Sequence, residues 1–292
     1  MAETDLLSEP FEQNRAHLRG VAFRMLGSLS EAEDAVQEAW LRLTRFDTGG
    51  VDNPRAWLTT VVARVCLDML RSRKSRREDA LDDEAPPEPV PSLGGSVDPE
   101  EENMLASSVG LALLVVLQTL APAERLAFVL HDLFAMSFDE IAPIVGRTPE
   151  AARQLASRAR RRVQGASPAP GSAASEQRRV VEAFLSAVRG GDMAALLEVL
   201  DPDVVLRLDP SMVPAGGSPE IRGANAVAKR SAAGGARAAQ PALVDGEVGV
   251  VVAPRGKLLM VLRFTIADGR ITVLESIAEP SRVEKMELAT LG

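Results

Sequence analysis

The sequence predicts a multidomain chain, two all-α blocks followed by a C-terminal α+β domain. Three observations predict it. Apolar residues recur with helical spacing as far as Gln164. Two stretches lack that spacing: Asp79–Asp98, acidic and proline-rich, and Gly165–Ala174, built from Gly, Ala, Ser and Pro. Beyond the second, β-rich runs follow one another across the two-residue turn signal Asp268-Gly269. The expected organisation is a helical domain over 10–78, a linker over 79–104, a second helical domain over 105–165, a linker over 166–174 and an α+β domain over 175–285.

In the first block Ala32, Ala35, Val36, Ala39, Trp40 and Leu43 share one face of an amphipathic helix. Pro54 opens another, with Leu58, Val61, Val62, Val65 and Met69 on its apolar side. The third block begins with helices over Glu176–Arg189 and Asp192–Leu200, then a strand through Val204–Leu208 and a helix near Ala224–Ala232. Strands over Glu247–Ala253, Lys257–Ile266 and Arg270–Ala278 complete it. Helices leading into a meander make a small α+β domain.

The net charge of the 292 residues is −8. Residues 81–104 hold eight acids and no basic residue, so that segment alone equals the total. The rest of the chain is neutral, which leaves room for local basic patches. A single cysteine, Cys66, forbids an intramolecular disulfide and suits a reducing compartment. The N-terminus lacks a signal-peptide pattern, and the longest apolar run, Leu111–Leu117, is far below the ~20 residues of a membrane span. A cytoplasmic protein is expected. Two histidines and no tyrosine leave little for catalysis, and no metal-ligand spacing, P-loop or nucleophile elbow is present. Neither metal nor cofactor is expected.

The densest local signal runs from Ser137 to Gln164. Ser137-Phe138-Asp139-Glu140 is a capping box, and Gly146 suits a left-handed C-cap. Pro143 is expected in the first turn or so, where a missing donor is tolerated. Thr148 and Pro149 cap and open a second helix. Its buried stripe is expected to be Ala152, Leu155, Ala159 and Val163, with Arg153, Gln154, Ser157, Arg158, Arg160, Arg161 and Arg162 outside. That pattern is a helix-turn-helix whose Arg and Gln suit base edges and whose later arginines suit phosphates. An ordinary helical hairpin with a solvated basic face would look similar. A second cluster, Arg71, Arg73, Lys74, Arg76 and Arg77, tips the balance toward DNA.

Three stretches resemble the extracytoplasmic-function (group IV) sigma factors of bacterial RNA polymerase. Glu33–Trp40 resembles the region 2.2 helix. The resemblance implies that Asp34, Gln37, Glu38 and Arg42 meet core RNA polymerase at the β′ clamp helices. Pro54-Arg55-Ala56-Trp57-Leu58, with Arg64 and Arg71 following, resembles the part that opens and reads the −10 promoter element. Asp52, Asn53, Trp57, Arg64, Arg71, Arg73, Lys74, Arg76 and Arg77 are the implied DNA contacts, and the loop Phe46–Asn53 sits where the family captures a flipped base. Trp57 suits a core position equally well. Leu117–Leu120, Pro122, Glu124-Arg125 and Phe128, leading into the helix-turn-helix, resemble region 4, which reads the −35 element and touches the β flap. Arg147, Arg153, Gln154, Ser157, Arg158 and Arg161 are the implied −35 contacts.

The third block resembles the SnoaL-like branch of the NTF2-like fold, a cone of sheet and helices with a pocket. Family members with such a tail use it to modulate activity in cis. Two tail elements of those relatives are altered here: Glu279-Pro280-Ser281-Arg282 stands for an Asn-Pro-Asp-Lys element, and a glycine-rich element has no clear counterpart near Asp209–Gly217. The resemblance implies a promoter-specificity subunit that binds polymerase and promoter DNA, crosses no membrane and catalyses nothing. Two rivals remain at this point: a helix-turn-helix regulator without polymerase, and a bifunctional protein whose tail binds or turns over a small molecule. With no histidine, cysteine or tyrosine in residues 166–292, such turnover would fall to a carboxylate such as Asp209 or Glu275.

Overall fold

The computed structural model describes residues 2–43, 53–80, 108–165, 172–213, 217–232 and 238–291. The acidic segment 81–104 and the loop from Phe46 to Asp52 lie outside them. Two compact units are present, Met1–Pro91 with Leu120–Arg160, and Ser92–Thr119 with Arg161–Gly292.

In the first unit α1 (Ala2–Leu26), α2 (Leu29–Leu43) and α3 (Pro54–Ala80) pack on one another. The helical spacing seen in α2 delivers its apolar stripe inward: Ala32, Ala35, Val36, Ala39 and Leu43 are all buried. Leu18, Val21, Phe23 and Met25 of α1 and Leu58, Val62 and Leu67 of α3 are buried as well. Each such large side chain contributes roughly 1.5–3 kcal/mol by leaving water. The Phe11 and Trp40 rings lie 4.8 Å apart. Cys66 is fully buried, and burial pushes its thiol up to about 12, so it is inert packing.

The same unit includes α5 (Pro122–Phe128), a π-helical turn Val129–Leu133, α6 (Phe138–Val145) and the first part of α7 (Pro149–Gln164). Both α5 and α6 pack against α3. Arg125 of α5 is 6% exposed and donates from Nη1 to the Met25 carbonyl at 2.7 Å. Burial first, and the charge of Arg73 second, push its guanidinium down to about 10. His17 of α1 faces Phe134 edge-on at 5.1 Å. Its Nδ1 accepts from Arg55 at 3.0 Å, so its Nε2 carries the proton and donates to Thr59 Oγ1 at 3.1 Å. Burial and then Arg55 lower its pKa, which keeps the ring neutral.

The second unit holds α4 (Ser108–Thr119), a helix inside the stretch where the second helical domain was expected. Its Leu111, Ala112, Leu114, Val115, Val116 and Leu117 are all buried. They cover more than one face, so the helix needs cover on more than one side. The rest of the unit is α8 (Ser172–Gly190), α9 (Met193–Val199), β1 (Leu200–Arg207), β2 (Glu220–Arg222), α10 (Ala224–Ala232), β3 (Ala239–Val244), β4 (Glu247–Val252), β5 (Met260–Ala267), β6 (Arg270–Ile277), α11 (Pro280–Val283) and β7 (Leu288–Ala289).

The seven strands form one sheet in the order β2-β1-β6-β5-β4-β3-β7. Only β1 and β6 run parallel; the other neighbours are antiparallel. The helix–helix–strand–helix–meander order expected from sequence is present. Three strands, β2, β3 and β7, were not expected. Pro241 argues against a strand at Ala239–Val244, yet β7 pairs only Leu243 and Val244, so Pro241 lies where one side of β3 is unpaired. The Asp245-Gly246 turn joining β3 to β4 carries the same signal as Asp268-Gly269. Both residues of each turn have positive φ, the primed geometry that matches strand twist.

The core of this unit lies between α8, α9, α10 and one face of the sheet, with Phe184 and Phe264 edge to face at 5.5 Å. On this sheet α4 contributes its own contacts, against β3, β7 and the turn Pro254–Gly256, where Gln118 Nε2 donates to the Gly256 carbonyl at 2.5 Å.

Candidate polymerase and promoter interface

On α2 the apolar stripe leaves Asp34, Gln37 and Glu38 exposed on the opposite edge. Arg42 is half-buried; its Nε donates to Glu38 at 2.9 Å and its Nη1 to Asp68 of α3 at 3.5 Å. Arg42 thus anchors the acidic edge to the bundle more than it extends it. Leu41 is 45% exposed, one of two large apolar side chains so exposed among the described residues. It lies seven residues after Asp34, on the same stripe, and sequence reading passed it over. The i, i+3, i+4, i+7 spacing was the signal.

On α3 Asn53 is the N-cap: its Oδ1 accepts from the Ala56 backbone N–H at 3.1 Å. Trp57 is half-buried, while Arg64 and Arg71 are exposed two turns apart. The helix therefore aligns Trp57, Arg64 and Arg71 on one side. Arg73 departs from them. It pairs with Glu31 of α2 and donates to the Leu26 carbonyl at 3.4 Å. Lys74, Arg76 and Arg77 are helical, but their side chains, like Asp52, lie outside the described residues.

The helix-turn-helix carries the expected punctuation. Glu140 Oε2 accepts from the Ser137 backbone N–H at 3.0 Å and from its hydroxyl at 2.6 Å, and Ser137 Oγ accepts from the Glu140 N–H. Gly146 takes φ +67, open to glycine without steric cost. Thr148 Oγ1 accepts from the Ala151 N–H at 3.2 Å. Pro143 does not fall in the first turn: it is the sixth residue of α6, where its absent N–H removes one intrahelical bond. The buried stripe of α7 also differs. Ala152, Ala156, Ala159 and Val163 are buried, the i, i+4, i+7, i+11 stripe of one helix face, and Leu155 only half so.

Arg147, Arg153, Gln154 and Arg158 are exposed, and so is Arg161, one turn further on. Arg153 also lies over the Phe138 ring, 5.3 Å from its centroid. Ser157 is half-buried. Arg158 Nε is 3.2 Å from Glu124 of α5, and Arg160 donates from Nε and Nη2 to Asp132 at 2.8 and 2.5 Å. Glu124 and Asp132 were missed as partners because they lie some thirty residues upstream. Arg160, expected outside, is half-buried against Asp132.

The second unit holds both candidate bases, Asp209 and Glu275. Asp209 is 2% exposed. Its Oδ1 accepts from the Ser211 N–H and hydroxyl at 3.0 and 2.7 Å; its Oδ2 accepts from the Ala278 and Glu279 N–H groups at 3.0 and 3.2 Å. Burial works to raise this carboxyl, and the four donors outweigh it and hold it at about 2. Arg282 lies 3.6 Å from Asp209 and 3.2 Å from Glu275, bracing both.

The chain matches the Sigma-70 region 2 family over residues 10–76 and the Sigma-70 region 4 family over 110–163. It is 37% identical to the "Probable ECF RNA polymerase sigma factor SigI" of Mycobacterium tuberculosis (strain CDC 1551 / Oshkosh), across 100% of this chain and 99% of that one. It is 40% identical to the ECF RNA polymerase sigma factor SigJ of M. tuberculosis (strain ATCC 25618 / H37Rv), across 93% and 91%. A crystal structure of M. tuberculosis SigJ aligns with 33% identity over 94% of this chain and 97% of that chain, at a TM-score of 0.45. No helix among the described residues is long and apolar enough to cross a membrane. With full-length identity to two curated members and both sigma regions in order, the chain belongs to the ECF RNA polymerase sigma factor family, subunits that bind core polymerase and promoter DNA to direct transcription initiation.

Proposed function

We propose that this sigma factor meets polymerase through the α2 edge of Asp34, Gln37, Glu38 and Leu41, with Arg42 as its anchor. Trp57, Arg64 and Arg71 on α3 serve the −10 element. Arg147, Arg153, Gln154, Ser157, Arg158 and Arg161 serve the −35 element, and the C-terminal α+β domain regulates the two in cis. The observation that carries the regulatory part is α4. This helix belongs to the stretch matched to region 4, yet it packs on β3 and β7 of the C-terminal sheet. A DNA-reading domain that shares a helix with its tail cannot be indifferent to that tail. The tail acts as a regulator, not a catalyst, a reading supported by the bracing of Asp209 and Glu275 on Arg282.

Run-off transcription with purified core polymerase tests this reading. The full chain and a truncation ending at Gln164 are both expected to give promoter-specific transcript, at different levels. Silence from both would defeat the promoter-contact part, and equal activity would remove the tail's role. Arg153→Ala is expected to lower output from a promoter with an intact −35 element about five- to a hundredfold while leaving core binding unchanged, since a good base contact is worth roughly 1–3 kcal/mol.

A further inference from the structure

The second unit has a half-open pocket of about 80 Å³ between α8, α10 and the sheet. Its walls are apolar: Phe184 and Val188 from α8, Leu206 from β1, Leu262 from β5 and Leu274 from β6. Among its described lining residues no side chain carries a negative charge, and one, Arg230 in the last turn of α10, carries a positive charge. Arg230 is exposed and has no hydrogen bond or ion pair to another described residue. Asp209 and Glu275 are not among the lining residues, so no described lining side chain opposes an incoming anion.

An apolar chamber with one unengaged guanidinium beside it has a definite chemistry. The chamber excludes charge and accepts hydrocarbon, and the guanidinium pairs with a carboxylate in a planar, two-point fit. Its size limits the hydrocarbon. A cavity of about 150 Å³ holds the six carbons of benzene, so this one holds roughly three or four. We infer that the pocket of the C-terminal domain binds short-chain aliphatic carboxylates, with the tail among Phe184, Leu206 and Leu274 and the carboxylate at Arg230. Binding there makes the domain a receptor for a small organic acid, and it stands apart from the promoter contacts proposed above.

Calorimetric titration of the full chain with propanoate, butanoate, pentanoate, hexanoate and octanoate, at constant ionic strength, tests the site. Affinity is expected to rise about fourfold per methylene until three or four carbons are enclosed, then level off. Arg230→Gln, at an exposed position that does not threaten folding, is expected to weaken hexanoate at least tenfold, with Arg230→Lys retaining most of the affinity. Hexan-1-ol should bind more weakly than hexanoate, and hexylammonium not at all. No binding by any acid, equal affinity for hexylammonium, or an Arg230→Gln variant indistinguishable from the parent would each overturn the assignment. These readouts do not involve transcription, so they stand or fall separately from the sigma-factor contacts.

Discussion

Replacing Asp209 with asparagine keeps the side chain's shape and removes its charge, and the four N–H and O–H donors around it then face a weaker acceptor. With its carboxyl held at about 2 against an ordinary value of 3.8, the ionised form stabilises the fold by roughly 2 kcal/mol. Because the folded value is depressed, this contribution is whole above pH 3.8 and is lost as pH falls toward 2. Urea unfolding of the second unit should show Asp209→Asn costing about that much at pH 7, with parent and variant converging near pH 2. Sequence alone offers Asp209 as a candidate base through its residue type. What denies it that role comes from Ala278 and Glu279, about seventy residues away, and no local pattern announces them. The Glu124–Arg158 pair makes a second prediction. Glu124→Gln releases Arg158, and the ratio of transcription from intact and scrambled −35 promoters should rise.

At the scale of elements, the period of apolar residues was legible where one helix face meets one core, as in α2, and it placed three of the four buried positions of α7. It misled where a proline had a permissive neighbour, as in β3. It was silent for the two- and three-residue strands, whose pairing is decided by partners and not by their own residues. Gly249 in β4 illustrates a constraint that only the sheet reveals. A Cβ there would sit 2.7 Å from Val244 Cγ2 and 2.8 Å from the Leu262 carbonyl oxygen. Gly249→Ala should therefore cost roughly 1–3 kcal/mol through overpacking, read as a lowered midpoint in thermal unfolding. An alanine at Gly246, where the turn needs positive φ but space is open, should cost less.

For the whole molecule, family, domain order and the location of the acidic excess were readable from motifs and counting. The allocation of α4 was not. Its composition, apolar on every side, says that it needs more cover than one neighbour provides, but not which neighbours supply it. Removing residues after Gln164 strips away β3 and β7, and the truncated protein is expected to bind 1-anilinonaphthalene-8-sulfonate more strongly than the full chain. Unchanged dye fluorescence would mean that α4 finds other cover.

The end of α7 has a practical consequence. Thr290 donates from both its N–H and its hydroxyl to the Val163 carbonyl, at 2.8 and 2.9 Å, and Gly165 leaves just enough room for Ala289 beside it. The helix proposed to read the −35 element is thus terminated by residues more than a hundred positions downstream. An affinity tag or a proteolytic nick near residue 288, ordinarily a harmless choice of laboratory handle, would uncork the recognition helix at its far end.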